Sequence, residues 1–548
     1  MTDELNIATN ILRNSLENYM FTCSTAQKFL QNTENIGQLQ AFKTCLDDSL
    51  ELLASYQIKL YRIKAALNAS RNSLPEVVPI STLPCEIMTR IFHLVLSAQP
   101  DVFATPSGEF PGFPKYPDIL THVCSRWRQI AIASSTLWSH IQFAYRHPLS
   151  PGFLARAKTY VARAGETPLD ICFVGPRNNI SDKMPEDEYS SNFEFLPSTT
   201  LISIKSLNLE FTEVKQKFNP YFDVLQYFLE HCTPGTLEKL VVHAPLNDPF
   251  VVSVKSKFTT YTSYNPRYGY YGWVRLDLFE KDLEDQWYSI SVLQLEGMRP
   301  YWTSKAYRGL VDLRIGCRGY PITEAQFIDI LKASPELQIL HFGPGIVDRL
   351  RPNSPGIPVK LNDLKELNFK SSNPSIGTFF RCIAPGQTPL KLSISGTPTH
   401  EFEVEKFLAR SNIIELRMAG WEGYSPANLF RLCPRLRVLA LDDRAKKVTN
   451  FQMTPDMGES STPILSLQID TLYLIKYLID PAKLVQMLKS HSVQRLIMWH
   501  CKSSRQLTHE ESQEIHRSVN KYTTHLHCGE GDLPEDWPWT TEPLTEVQ

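Results

Sequence analysis

A short apolar pattern recurs at nearly even spacing in the second half of the chain, and it restricts the fold more than any other feature. The pattern is L-x-x-L-x-Φ, in whole or in part, where Φ is large and apolar, as in Leu364-Lys365-Glu366-Leu367-Asn368-Phe369. Its key leucines stand at positions 313, 340, 367, 392, 416 and 439, with steps of 27, 27, 25, 24 and 23 residues. Each short alternating run predicts a β-strand. The even steps indicate that one structural unit is repeated.

Helical patterns lie between these predicted strands, at Glu324–Ala333, Glu403–Ala409, Pro426–Leu432 and Pro481–Lys489. Two of them are followed by proline, at Ser334-Pro335 and Cys433-Pro434, and proline cannot extend a preceding helix. One strand–helix unit is too small to bury its own apolar face, so neighbouring units must stack. Unrelated βα units in a generic α/β domain are the alternative, and the even steps argue against it.

The step length falls within the range of about 20–29 residues found in leucine-rich repeats, and the region resembles a divergent array of this kind. We therefore predict an α/β fold in which residues 146–525 form a leucine-rich-repeat-like βα solenoid. Its first unit is predicted to be a helix at Phe153–Arg163 followed by a strand at Pro168–Phe173. Outside the central region the steps are uneven, with 33 residues from Leu207 to Leu240 and 53 from Leu240 to Leu293.

The longest step contains an insertion, at about residues 255–285, that is rich in tyrosine and glycine. Tyrosine provides rigid aromatic area with a polar tip, which suits it to protein contacts. Two interpretations are open: a β-hairpin packed on the solenoid, which we favour, and a recognition loop. The carboxylates from Asp277 to Asp285 have no neighbouring histidine or cysteine, so we interpret them as a solvated charged run rather than a catalytic pair.

Residues 1–75 have the apolar periodicity of helices. Apolar side chains recur at helical spacing from Leu5 to Tyr19 and again from Leu46 to Leu67. A polar run that ends near Gly37 separates the two patterns. The sequence predicts two helices that form a hairpin or a weak coiled coil. Association of two chains through this segment is a further hypothesis.

The most specific stretch lies between Pro79 and Ile141. Pro84 suits the first position of a helix, because its φ is fixed and it has no N–H to leave unpaired. Ile87, Ile91 and Leu94 then fall on one helical face. A second apolar stripe is formed by Leu120, Val123, Cys124, Trp127, Ile130 and Ala131. This pattern predicts a two- or three-helix unit with a thin core, whose remaining apolar surface must be covered by a neighbour.

The residue identities in this stretch resemble those of an F-box, and fungal F-box-like proteins in particular. The matching motifs are Leu83-Pro84-x-Glu86-Ile87-x-x-x-Ile91-Phe92, then Val123-Cys124-x-x-Trp127-Arg128-x-Ile130-Ala131, then Leu137-Trp138. Periodicity alone favours an ordinary helical hairpin, and the identities in this order reverse that preference. The resemblance implies an F-box-like domain at residues 76–145. A Pro- and Gly-rich insertion at residues 101–117 is longer than in a typical F-box, and a surface loop tolerates such a length.

The resemblance also implies a partner. An F-box docks on an Skp-family adaptor, which links F-box proteins to a cullin–RING ubiquitin ligase. The residues implied to face the adaptor are Leu83, Pro84, Ile87, Ile91, Phe92, Val123, Trp127 and Leu137. Ile130 and Trp138 are equally good candidates for the internal core.

Composition and missing motifs exclude several other functions. The net charge of −2 provides no bulk attraction to nucleic acid or to an anionic membrane. The sequence has no phosphate-binding loop, no dinucleotide-binding glycine pattern and no Gly-x-Ser-x-Gly elbow. Histidine and cysteine lack the spacing of a metal site. We expect no catalytic residue, no metal and no cofactor.

The expected location is the cytoplasm or the nucleus. The first residues show no secretory signal, no apolar run is long enough to span a membrane, and the 11 cysteines are scattered singly, as reduced thiols are. Residues 526–548 form an acidic tail that is predicted to be largely disordered. Trp537 and Trp539 in this tail are candidates to dock as a C-terminal cover.

These features predict a non-catalytic substrate receptor of an SCF-type ubiquitin ligase. The F-box would hold the adaptor, and the repeat region would hold an unidentified protein substrate. The alternative is an interaction scaffold, in which the F-box-like unit packs only on its own repeats and never joins a ligase. Exposure of the apolar surface around Leu83-Pro84 and Ile91-Phe92 distinguishes the two hypotheses.

Overall fold

The fold is taken from a computed structural model. It describes residues 1–32, 36–72, 74, 76–77, 79–98, 115–144, 149–175, 194–197, 201–211, 220–244, 250–254, 264–265, 269–270, 272–276, 278–316, 321–347, 358–370, 376–395, 401–419, 426–442, 468–476, 478–490, 492–503, 508–518, 521–525, 537 and 539. The chain divides into two compact units. The helical unit comprises Met1–Ser97 and Asp118–Ala131, and the sheet unit comprises Ala98–Pro117 and Ile132–Gln548.

The helical unit is built from α-helices in its described residues. They are α1 (Thr2–Asn32), α2 (Ile36–Asn72), α3 (Cys85–Ser97), α4 (Leu120–Val123) and α5 (Ser125–Ala133), with a 3₁₀ turn at Pro79–Thr82 before α3. The helices predicted for residues 1–75 are thus confirmed. Many of their apolar side chains, such as Leu12 and Leu53, are more than a third exposed. Whether they form a hairpin or a coiled coil stays a prediction.

The sheet unit contains a 14-stranded sheet in which every pair of neighbours is parallel and the strands follow chain order. Its strands are β1 (His140–Ala144), β2 (Leu169–Val174), β3 (Ile204–Glu210), β4 (Lys239–His243), β5 (Val292–Glu296), β6 (Asp312–Ile315), β7 (Ile339–Phe342), β8 (Glu366–Lys370), β9 (Leu390–Ser395), β10 (Ile413–Ala419), β11 (Val438–Asp442), β12 (Gln468–Ile475), β13 (Ser492–Trp499) and β14 (Lys521–His525). This arrangement confirms the α/β class.

Helices connect many of these strands. They are α6 (Ser150–Ala164), α7 (Pro220–His231), α8 (Glu280–Trp287), α9 (Glu324–Ala333), α10 (Ile376–Cys382), α11 (Glu401–Arg410), α12 (Pro426–Leu432), α13 (Pro481–Ser490) and α14 (His509–Ser518). Helix α9 shows how the sequence determines where such a helix begins and ends. Thr323 and Gln326 form a reciprocal capping box at its start, and the helix stops at Ser334, directly before Pro335.

The regularly spaced leucines of the sequence pair with one another in the register of the sheet. Leu313 pairs with Leu340, Leu340 with Leu367, and the same row continues across the strands through Leu392, Leu416 and Leu439. The irregular steps fit the same row, because Leu207 pairs with Leu240 and Leu240 with Leu293. The leucines of the sequence pattern therefore mark residues that pair across neighbouring strands, even where the connecting segments differ in length.

Side chains alternate between the two faces of the sheet, because successive residues of a strand point in opposite directions. The front face carries the buried leucine row and a parallel row of large apolar residues. Helices pack on this face: Phe379 of α10 lies 4.9 Å from Phe369 and 5.5 Å from Phe342, between ring centroids, and Phe407 of α11 stacks on Phe380 at 4.3 Å. The core of the sheet unit therefore sits between the front face and the helices.

The opposite face is called the back face here. Its central row is defined by Gln294, Arg314, His341, Asn368, Ser393, Arg417, Ala440, Tyr473 and Ile497, which are register partners from β5 to β13. The row is polar from β5 to β10 and apolar from β11 to β13.

The insertion predicted at residues 255–285 contains a short hairpin, in which Tyr264–Asn265 pairs antiparallel with Gly269–Tyr270. The flanking strands Phe250–Val254 and Gly272–Leu276 pair in parallel, and Met298–Arg299 extends them to a three-stranded sheet. The carboxylates near α8 are not simply solvated, since Glu284 Oε2 accepts a hydrogen bond from the backbone N–H of Lys305 at 2.6 Å.

Among the helices in the part of the chain that the structure describes, none combines the length and the apolar character needed to cross a bilayer.

Candidate protein-binding surfaces

Helix α3 is apolar on two sides, and only one side is buried. Met88 and Phe92 have no exposed area, whereas Ile87 is 46% exposed and Leu94 is 62% exposed. Ile87, Ile91 and Leu94 follow at i, i+4 and i+7, so they form a stripe along one side of the helix. We call these three residues the α3 stripe. A soluble helix normally buries its apolar stripe, so an exposed second stripe indicates a surface for a partner.

Contacts within the helical unit hold α3 against α5. The Arg126 guanidinium donates a hydrogen bond to the backbone carbonyl of Leu83 at 2.7 Å, directly before the start of α3. The rings of Phe92 and Trp127 lie 5.0 Å apart. Arg128 Nε donates to the carbonyl of Thr121 at 2.7 Å, which ties α5 to α4. The two halves of the motif, separated in sequence by the long insertion, thus form one small helical body.

The structure separates the eight predicted adaptor-facing residues into three groups. Pro84, Ile87 and Val123 are exposed, Leu83, Ile91 and Trp127 are partly buried, and Phe92 and Leu137 are buried. For the first two groups the prediction stands untested. Two further exposed apolar residues, Leu94 and Ile119, were not among the predicted contacts, although Leu94 was recognised as part of the helical pattern.

Phe92 and Leu137 are corrections to the predicted surface. Phe92 is fully enclosed and contacts Trp127, so its side chain is core rather than contact area. Leu137 is 1% exposed and belongs to the sheet unit. Its neighbour Trp138 is also buried, edge-on to Tyr160 at 5.0 Å and beneath the Arg163 guanidinium at 4.2 Å, as expected for its alternative role in the core. Phe92 and Leu137 therefore occur at the expected points of the sequence motif, but their side chains are buried rather than exposed.

A second candidate surface is the polar part of the back face. Asp312 accepts a hydrogen bond from Gln294 Nε2 at 2.9 Å and another from Arg314 Nε at 2.9 Å. On the next strands, His341 Nε2 donates to Glu366 Oε1 at 2.9 Å. Polar side chains of adjacent strands are therefore paired across the sheet, and such cross-strand pairs contribute to its stability.

Charge pairing continues along β9 to β11. Lys391 Nζ lies 3.8 Å from Glu415 Oε2, an ion pair too long for a hydrogen bond, and Arg417 donates to Asp442 at 2.8 Å with both side chains buried. These pairs fix donors and acceptors along the back face, and most of the central row is itself buried, with Asn368 8% exposed and Ser393 4% exposed. Sequence reasoning missed this part of the molecule, because its partners on neighbouring strands are 18 to 25 residues apart.

Electrostatics of the back face favour the charged form of its carboxylate. The hydrogen bond from His341 lowers the pKa of Glu366, burial opposes this effect, and the positive charges of Lys391 and Arg314 lower the pKa further. Toward β4, the hydrogen bond between His243 and Glu296, at 2.5 Å, raises the pKa of His243. Both effects describe ion pairs that stabilise the sheet.

The apolar end of the back face is covered by the C-terminal tail. Trp539 is 5% exposed and forms a cluster with Ala440, Tyr473 and Ile497, and Trp537 packs against the same cluster. Ring centroids of Trp537 and Tyr473 lie 5.2 Å apart, and those of Trp537 and Trp539 lie 4.9 Å apart. The two tryptophans dock as expected. The rest of the tail predicted at 526–548, and residues 101–114 of the insertion, lie outside the described residues.

The most strongly perturbed thiol lies in the helix layer. Glu324, 2% exposed, accepts a hydrogen bond from Arg381 Nε at 2.7 Å and pairs with its Nη2 as well. Cys382 donates its thiol hydrogen to Glu324 at 3.5 Å, and burial together with this carboxylate raises the pKa of Cys382. A thiol held in its protonated form is a poor nucleophile. This cluster is therefore structural.

In the part of the chain that the structure describes, no group of three or more His, Cys, Asp and Glu side chains is arranged to hold a metal ion. The sequence matches no protein-family model, and no curated protein matches it. The features that bear on function are therefore the two surfaces themselves, the α3 stripe and the back face.

Proposed function

We propose that this protein is the substrate receptor of an SCF-type cullin–RING ubiquitin ligase. The α3 stripe, beside Leu83 and Pro84, is the observation that carries the proposal. An Skp-family adaptor is the partner that the motif order implies for this surface. Exposed apolar side chains at motif positions are what such a receptor needs in order to bind a separate protein.

Burial of the exposed apolar side chains in this unit would contribute to binding of a partner. Burial of one large aliphatic side chain contributes about 1.5–3 kcal/mol. Ile87 and Leu94, with Val123 at 54% exposure in the same unit, are largely available for this. A partner that covers several of them gains more than the factor of ten in affinity that about 1.4 kcal/mol represents.

The second part of the proposal concerns the sheet unit. We propose that its strands and helices form a leucine-rich-repeat-like solenoid and that its back face receives the protein substrate. The leucine rows in register, the helices on the front face and the paired charges on the back face support this assignment. In such a solenoid the surface formed by the strands is extended and suited to binding.

The chemical contribution of such a receptor is positioning. It requires no catalytic residue, since the ubiquitin-conjugating enzyme carries out the transfer. By holding the substrate near that enzyme, the receptor makes the reaction effectively intramolecular and raises the effective concentration of the substrate lysine.

The test is a pull-down of the full-length chain with a purified Skp-family adaptor. Wild-type protein is expected to bind. Ile87→Asp and Leu94→Asp are each expected to weaken binding at least about tenfold, because a charge replaces a buried apolar contact. Replacement of Leu83 and Pro84 by alanine is expected to weaken it too.

The matched control is Leu201→Asp, which places the same charge at a residue of the sheet unit that is 60% exposed. It should bind the adaptor as wild type does. A folded wild-type chain that does not bind the adaptor would overturn the ligase proposal and favour an interaction scaffold. Equal losses for all three aspartate variants would show that the effect is not specific to the α3 stripe.

A further inference from the structure

The back face contains an apolar patch at its C-terminal end that requires a cover. From β6 to β10 the central row is polar, whereas Ala440, Tyr473 and Ile497 follow from β11 to β13. Val438 lies beside them and is partly buried against the same cluster. Without Trp537 and Trp539, these side chains would lose the rings that now pack on them.

The two tryptophans sit in an aromatic and cationic frame. Tyr473 contacts both indoles, with ring centroids 5.2 Å from Trp537 and 6.2 Å from Trp539. The Arg417 guanidinium lies 5.5 Å from the ring centre of Trp537, and Lys391 Nζ lies 5.6 Å from that of Trp539. Each indole thus has an apolar neighbour and a cation, which is the arrangement that favours tryptophan over an aliphatic residue.

The docked segment is connected to the sheet by a long stretch of chain. Residues 526–536 separate Trp537 from the end of β14. Two strand spacings, from β14 to β12, amount to only about 10 Å. Eleven residues reach about 36 Å when extended, so the connection is far longer than docking requires. The tether does not force the tryptophans onto the patch, and the contacts themselves must favour the docked position.

The fit of the tail to the patch is incomplete. The Nε1–H of Trp539 is buried and has no hydrogen-bond acceptor among the described residues. A buried donor without an acceptor costs about 1–3 kcal/mol. A segment from another protein that makes the same aromatic contacts, but leaves no buried donor without an acceptor, would bind the patch more tightly than the tail does. Such a segment can therefore compete with the tail.

We propose that the patch formed by Lys391, Arg417, Ala440, Tyr473 and Ile497 is a binding site for a linear peptide with two aromatic residues spaced as in Trp537-Pro538-Trp539. The chain's own tail is the resident occupant. A partner peptide binds by displacing it. Proline between the two aromatic residues restricts the backbone before binding, which lowers the entropy lost on docking.

Tethering makes the resident tail a competitor. An occupant that belongs to the same chain has an effective concentration on the order of millimolar, so the tail suppresses a ligand of micromolar affinity by a large factor. The site is consequently closed until a tighter peptide arrives or the tail is removed. This inference goes beyond the ligase proposal and does not depend on adaptor binding.

The experiment uses a fluorescein-labelled peptide corresponding to residues 530–543 and two full-length proteins. The double variant Trp537→Ala/Trp539→Ala, which leaves the site empty, is expected to bind the peptide with micromolar affinity in fluorescence anisotropy. The wild-type chain is expected to bind it at least about tenfold more weakly, because its own tail competes. A control peptide with both tryptophans replaced by alanine should not bind either protein.

The variant Tyr473→Ala, added to the double variant, locates the site by removing the central ring of the patch. Loss of peptide binding with unchanged far-UV circular dichroism supports the proposal. No peptide binding by a folded double variant would overturn it. Equal binding by wild type and the double variant would also overturn it, since the peptide would then occupy a different site.

Should the double variant fail to fold, the wild-type chain still tests the proposal. The peptide is then made with 5-fluorotryptophan and titrated to about millimolar concentration, where it matches the effective concentration of the tail. A shifted fluorine resonance for bound peptide supports exchange at the patch. If the spectrum shows only the resonance of free peptide throughout the titration, the proposed binding at the patch is overturned. Both assays omit the adaptor, so this proposal and the proposed function can fail separately.

Discussion

Helices α3 and α9 differ in how far their apolar side chains are exposed to solvent. Helix α9 buries Phe327, Ile330 and Leu331, and its exposed positions carry small or polar residues such as Asp329 and Lys332. Helix α3 buries Met88 and Phe92, yet Ile87 and Leu94 of the α3 stripe are exposed and Ile91 is only partly buried.

The difference in exposure distinguishes apolar residues that stabilise the fold from apolar residues that are available to bind a partner. In the sheet unit, neighbouring strands pair in parallel and helices pack on the front face, so apolar residues contribute to a continuous core. Among the described residues of the helical unit, Ile87 and Leu94 remain exposed, and a small unit cannot bury all its apolar surface. The same type of side chain is therefore expected to affect folding in α9 and partner binding in α3. The predictions that follow test this contrast.

The largest expected effect is in the core under α9. Phe327 lies 5.1 Å from Phe342 and 4.9 Å from Phe379, between ring centroids, and has no exposed area. Phe327→Ala leaves a cavity and should destabilise the sheet unit by about 3–5 kcal/mol. Hydrogen exchange of β7 and β8 amides would measure it. Unchanged exchange would mean that the helices contribute little to the core, and the contrast with α3 would disappear.

A somewhat smaller effect is expected for the ion pair between α9 and α10. Arg381→Ala leaves the buried carboxylate of Glu324 without its cation and should cost about 3 kcal/mol, the lower end for a broken buried pair, because the guanidinium is partly exposed. The double variant Glu324→Gln/Arg381→Met removes both charges and should recover much of this loss. Thermal unfolding of the three proteins gives the comparison. A double variant less stable than Arg381→Ala would contradict the explanation.

A moderate, pH-dependent effect is expected on the back face. Because the pKa of Glu366 is lowered in the folded chain, its carboxylate stabilises the fold fully above its ordinary pKa, and this contribution disappears as pH falls through the lowered value. Glu366→Gln should therefore cost about 1.5 kcal/mol at neutral pH, in line with a hydrogen bond to a charged group. The cost should vanish in strong acid. Urea unfolding of both proteins from pH 7 to pH 2 measures it, and a difference independent of pH would refute the role of the charge.

Much of the sheet unit was predictable, because its repeated leucines occupy one register row. Spacing in sequence alone located Leu313, Leu340 and Leu367, which pair directly across strands. The bounds of α9 follow from equally local signals, namely a capping threonine and a proline after its end. The three-stranded sheet at Phe250–Val254 was not predicted, since its partners are joined only through long-range pairing.

The candidate surfaces were predictable only in part. The order of motif residues located α3 and the Trp127 helix, but burial depends on three-dimensional neighbours, so Phe92 and Leu137 were assigned to the surface although they lie in the core. The pair of Glu324 and Arg381 is separated by 57 residues, and no local pattern signals it. Aromatic composition indicated that the tail tryptophans dock, whereas the patch they cover became visible only from the strand register.

The smallest expected effect on stability is that of Ile87→Ala, and comparison with the adjacent residue Met88 of α3 makes it the most informative for function. Met88→Ala removes a fully buried side chain and should destabilise the helical unit by about 2 kcal/mol or more. Ile87→Ala changes an exposed position and should alter stability by less than about 0.5 kcal/mol. Hydrogen exchange of the α3 amides distinguishes these outcomes within one helix.

Adaptor binding should show the opposite order. Ile87→Ala is expected to weaken binding about tenfold, since the lost apolar contact corresponds to more than about 1.4 kcal/mol. Met88→Ala should weaken it only as far as the helical unit unfolds, so conditions that restore its folding should restore its binding. If Ile87→Ala instead accelerates exchange as strongly as Met88→Ala, Ile87 is part of the core. The α3 stripe would then support the small helical unit itself, and the contrast between α3 and α9 would lose its functional meaning.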